Sequence, residues 1–125
     1  IVYCVTSALG FAAIENVLYC LDGDMGTAVT RALLSVPSHA IDGMIMGYFF
    51  GVAKEAELAG DTKHRKRYLK LSVFMPMIEH GIYDSALSLG ADWIFVFFFL
   101  FVIVVDVWAY KFVKKQSGQD RELSA

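Results

Sequence analysis

Residues 93–113, Trp-Ile-Phe-Val-Phe-Phe-Phe-Leu-Phe-Val-Ile-Val-Val-Asp-Val-Trp-Ala-Tyr-Lys-Phe-Val, decide the fold. The first 13 are apolar without interruption, and the charges of the stretch are Asp106 and Lys111, both near its end. A bilayer core of about 30 Å takes roughly 20 apolar helical residues per crossing. This stretch has that length, and its outer half is apolar on every face, as a lipid-facing helix requires. Asp106 lies about two turns from Lys114 and Lys115, within reach of a hydrated interface.

Outward from this segment the chain repeats the pattern. It is 57% hydrophobic, with a mean hydropathy of +0.52. Of its 24 charged residues, 8 fall in Lys54–Arg67 and 6 in Lys111–Ala125. The remainder divides into apolar stretches, so the sequence predicts an all-α, polytopic transmembrane bundle of four membrane-spanning helices, at about 1–21, 27–53, 68–89 and 93–113. Asp22-Gly23-Asp24 breaks the first from the second, with Thr27 or Thr30 as an N-cap. Gly90 and Asp92 are the expected caps between the third and fourth. Residues 114–125 form a polar, disordered tail, and residues 1–113 one transmembrane domain. The chain starts at Ile1 with no cleavable signal, so it reads as an excerpt of a larger membrane protein.

Five of the 11 Lys and Arg residues lie in the 54–67 loop and four lie from Lys111 onward, whereas the other two turns carry only Asp22, Asp24 and Asp92. The excess of cytoplasmic Lys and Arg in membrane proteins puts the basic loop and the C-terminus in the cytoplasm of a multi-pass protein of the cell membrane. Tyr68, Trp93, Trp108 and Tyr110 fall near segment ends, where an aromatic belt belongs. The net charge of −2 makes no case for nucleic acid; the bilayer is the implied partner. Cys4 and Cys20 have no metal-type spacing and read as free thiols.

The first three segments carry ionisable groups where hydrocarbon makes them costly, about 3 kcal/mol each at a helix centre on insertion scales. These are Glu15 with Asn16, then Ser38, His39 and Asp42, then Glu79, His80 and Asp84. At about 1.5 Å per residue, Glu15 and Asp84 lie roughly 10 Å below the outer end of their helices, and His39 and His80 roughly 15 Å. All four occupy one layer between the midplane and the outer leaflet. His80 and Asp84 are i and i+4 and share a face. His39 heads a line of Gly43, Gly47 and Gly51, a GxxxGxxxG pattern that brings a neighbouring backbone close. Phe11, Glu15 and Tyr19 form one line on the first helix. Asn16 reads as a helix-bridging hydrogen bonder, Glu79 as a group pairing with Lys or snorkelling, and His64 as solvated.

Phe11-Ala12-Ala13-Ile14-Glu15-Asn16, then His39-Ala40 with Gly43 and Gly47, then His80-Gly81-Ile82-Tyr83-Asp84 resemble, in that order on successive helices, the PrsW family of intramembrane proteases. That family is distantly related to the type II CAAX prenyl endopeptidases. The resemblance runs from about Ser7 to Leu87. It implies hydrolysis of peptide bonds in single-span membrane proteins, such as anti-sigma factors, with Glu15, His39, His80 and Asp84 as catalytic residues. The family's E-E-x-x-K motif is absent here and is expected upstream, which leaves the excerpt inert alone. By resemblance an upstream glutamate is the base, His80 and Asp84 polarise the carbonyl or orient water, Glu15 holds water or shares a proton, and His39 completes the cage. On this favoured reading no cofactor is required. Two histidines and a carboxylate are also a catalytic zinc set, here Glu15, His39 and His80. Outside the protease class, the same groups form a proton relay in a transporter, although no repeated halves are present, or belong to a non-catalytic scaffold.

Overall fold

The computed structural model describes residues 1–88 and 92–117. Among them the chain forms four helices and no strand: α1 (Val2–Asp22), α2 (Met25–Leu58), α3 (Thr62–Ser88) and α4 (Asp92–Ser117). Gly90, expected as a cap, and residues 118–125 of the expected tail lie outside the described residues, as do the side chains of Asp92, Trp93 and Asp106.

The turn after α1 works through Asp24, which takes the capping role expected of Thr27 or Thr30. Its carboxylate accepts from the Thr27 N–H at 2.9 Å and from Thr27 Oγ1 at 3.1 Å. These bonds, the backbone one first, hold the Asp24 carboxyl below the usual carboxylate range.

The expected 54–67 loop is a correction. α2 runs on to Leu58 and α3 begins at Thr62, so only Ala59, Gly60 and Asp61 connect them. Lys54-Glu55-Ala56-Glu57-Leu58 are strong helix formers, and Lys54 pairs with Glu57 at 2.9 Å. Gly60, at φ +74°, ends α2 in the left-handed conformation that glycine adopts at least cost. The Asp61 N–H then bonds back to the Ala56 carbonyl at 2.8 Å. Asp61 starts α3 by accepting from the His64 N–H at 3.0 Å. His64 Nδ1 also meets Asp61 at 2.6 Å on the exposed surface, a surface role in keeping with its reading as solvated. At the far end α4 stays helical through Lys114 and Lys115, where the tail was expected to begin.

α2 lies between α1 and α3, which both pack on it and not on each other. The buried side of α2 carries Ser35, Ser38, His39, Ile41, Asp42, Gly43, Gly47 and Ala53. Two of the three aligned glycines are spacers against α1. A Cβ on Gly43 would lie 2.6 Å from Val5 Cα, and one on Gly47 would lie 2.5 Å from Ile1 Cα.

Among the described residues one helix, α1, is long and apolar enough to cross a membrane, with a mean hydropathy of 1.5. Large apolar side chains lie exposed along it, including Ile14, Val17 and Leu18.

Candidate metal centre between three helices

The site forms where α1 and α3 approach the middle of α2. Glu15 reaches from α1, and its Oε2 lies 2.7 Å from Arg31 Nη2 and 3.2 Å from His39 Nε2. The His39 and His80 rings stand edge to face, with centroids 4.9 Å apart at 86°. Phe11 stacks on the other side of His39 at 5.7 Å. One ligand-type atom from each of Glu15, His39 and His80 lies within 4.8 Å of the other two.

The hydrogen bonds set the tautomer of His39. Its Nδ1 is 2.8 Å from the Ser35 carbonyl, which can only accept, so Nδ1 carries the proton. In the neutral ring Nε2 then presents a lone pair. Nε2 is buried and has no hydrogen-bond partner, although Glu15 Oε2 is only 3.2 Å away. In that tautomer two lone-pair atoms face each other, an arrangement that a cation between them would relieve.

His80 bridges to two carboxylates. Its Nδ1 is 3.2 Å from Asp42 Oδ2, and its Nε2 is 3.5 Å from Asp84 Oδ2. Asp42 is buried, whereas the Asp84 side chain is 59% exposed. Glu79 lies 3.5 Å from Ser38 Oγ and packs on Asp42, facing α2 instead of reaching for Lys or solvent. Asn16 bridges helices as its sequence position suggests, accepting from Arg31 Nε at 2.8 Å.

Of the four residues expected to form the site, three therefore bring a ligand-type atom within 4.8 Å of one another, and Asp84 reaches them through His80. Sequence reasoning missed Arg31, which counters Glu15, bonds Ser35 Oγ at 3.2 Å and lies over the Tyr19 ring at 3.9 Å. It also noticed Asp42 without giving it a role. A signal was present: Arg31, Ser35, Ser38, His39 and Asp42 follow i, i+4, i+7, i+8, i+11 spacing and mark one polar stripe on α2.

A groove of about 470 Å³ opens beside the histidines, where α1 and α3 stand apart. Its walls include Ser7, Ala8 and Phe11 from α1, Met46 from α2, and Pro76 and Gly81 from α3. His39, Asp42 and His80 form its polar part.

The family described as "PrsW family intramembrane metalloprotease" matches residues 1–110. The chain is similar to a protein named Protease PrsW from Halalkalibacterium halodurans, 47% identical over 104 residues, which cover 83% of the chain and 44% of that relative. The Geobacillus kaustophilus protein of the same name is 40% identical over 97% of the chain and 51% of its own length. For the Bacillus subtilis one the values are 35%, 95% and 51%. The chain thus spans about half the length of the curated relatives it matches. No solved structure matches it.

Proposed function

The chain belongs to the PrsW family of intramembrane metalloproteases, and from that premise we propose that the full-length protein hydrolyses peptide bonds of single-span membrane proteins at a zinc site made by Glu15, His39 and His80. The observation that carries this is the facing pair of lone-pair atoms, His39 Nε2 and Glu15 Oε2 at 3.2 Å, with His80 completing the set. Two imidazoles and a carboxylate fit zinc in kind and number, leaving a position open for chemistry. The family description as a metalloprotease moves the balance from the metal-free glutamate mechanism to this one. When bound, zinc supplies Lewis acidity that polarises a carbonyl and activates water.

The chain's own residues do the rest. Arg31 holds the Glu15 carboxylate in position and balances its charge. Ser35 fixes the His39 tautomer through its carbonyl. Asp84, exposed and 3.5 Å from His80, orients the attacking water. The groove between α1 and α3 receives the scissile segment. Its small residues Ser7, Ala8 and Gly81 let a substrate backbone come close, and its polar part places the peptide beside the histidines.

All four helices span the membrane on this reading, with Lys54–Arg67 and the C-terminus cytoplasmic and the Asp22–Asp24 turn outside. α2 has 34 residues, about 51 Å of helix, so its polar end, Lys54 to Leu58, projects past a hydrocarbon core of about 30 Å.

The test uses the full-length protein in cells and in liposomes with a single-span substrate. Cleavage should stop on chelation and return with zinc. An impermeant thiol reagent applied to intact cells should label a cysteine placed at Gly23 and spare one placed at Lys63. Cleavage indifferent to chelation would restore the glutamate mechanism, and reversed labelling would invert the orientation.

A further inference from the structure

Asp42 is 8% exposed and sits one turn beyond His39 on α2. Nothing in the reading above gives it work, yet a carboxylate buried among helices costs free energy unless it is used. Its Oδ2 lies 3.2 Å from His80 Nδ1, across the α2–α3 contact. Glu79 packs on the same carboxyl but is itself an acid, so of these two neighbours His80 is the one that can answer its charge. Asp84 also approaches His80, but at Nε2, at 3.5 Å and from an exposed position. The two histidines are thus held alike. Each has Nδ1 against an oxygen of α2, the Ser35 carbonyl for His39 and the Asp42 carboxylate for His80.

We propose that Asp42 is the positioning carboxylate of His80: it accepts a hydrogen bond from Nδ1–H, fixes the ring plane, and leaves Nε2 as the atom offered to the Glu15–His39 cluster. A carboxylate behind a ligating histidine raises its basicity and fixes its tautomer. α2 then aligns both histidines from one rigid element, although His80 itself belongs to α3. The inference rests on the zinc reading of the site.

Zinc affinity of the full-length protein in detergent, measured by competition with a chromophoric chelator, tests it without reference to activity. Asp42→Ala should weaken binding about 10–100-fold, the usual effect of losing such a partner. Asp42→Asn keeps an oxygen acceptor of the same shape without the charge and should fall between Ala and the parent. With cobalt(II) in place of zinc, the visible bands of both variants should shift. Melting in detergent identifies any variant that fails to fold, and if Asp42→Ala does, Asp42→Asn decides alone. Parental affinity and an unchanged cobalt spectrum in a folded Asp42 variant, with binding lost in His39→Ala, would overturn the role of Asp42 and leave the zinc site standing. A parent that binds no zinc, and is indifferent to His39→Ala, would overturn both.

Discussion

Replacing His80 with Ala is expected to abolish cleavage of a single-span substrate by the full-length protein while leaving it folded. The side chain is 27% exposed and lines the groove, so truncation widens a cavity that already exists. What it removes is one of the three donors that converge on the site, within 4.8 Å of the other two. It also frees Asp42 and Asp84 from their shared partner. The loss in kcat should be at least on the order of 10²–10³-fold, the size seen when one group acting on developing charge is deleted. His64→Ala is the control. Its ring is half exposed at the start of α3, where it meets Asp61, far along the chain from the site. An active His80→Ala protein would show that the histidine only bridges helices.

Gly43→Leu should have the largest effect on folding. The close approach of α1 to α2 is a backbone contact: a Cβ at Gly43 meets Val5 Cα at 2.6 Å, the Cys4 carbonyl at 2.9 Å and Val5 N at 2.9 Å. Backbone atoms cannot rotate aside, so α1 as a whole must move away. Overpacking of this kind costs about 1–3 kcal/mol. Because Glu15 and Phe11 ride on α1 while His39 is one turn from Gly43 on α2, the same displacement pulls Glu15 from His39 and should lower activity along with the melting temperature. Parental melting of the Gly43 variant would show that the glycine line is not a helix contact.

Gly43 shows what the sequence could tell. Spacing announced a close-packed face on α2, but it could not show that α1 supplies the partner. Depth and face were enough to bring Glu15, His39 and His80 together, because helix geometry converts residue number directly into height and direction. Arg31 escaped for the opposite reason. A charge six residues into a helix reads as a boundary residue, and only the fold shows that its long side chain spans to Glu15, Asn16 and Ser35. Asp42 was visible as a polar residue, but its partner lies 38 positions away on another helix. The 54–67 stretch was misread because composition reports polarity, whereas Lys, Glu and Ala there also favour helix. The short connection around Gly60 then needs only three residues.

The central claim is that Glu15, His39 and His80 bind one zinc ion. X-ray absorption at the zinc edge of the purified full-length protein tests it most directly. The account predicts one zinc per chain with two imidazole nitrogens at about 2.0–2.1 Å and oxygen in the remaining positions, and one imidazole fewer in the zinc that His39→Ala or His80→Ala retains. No stoichiometric zinc in an active preparation, or a coordination shell unchanged by both substitutions, would contradict it.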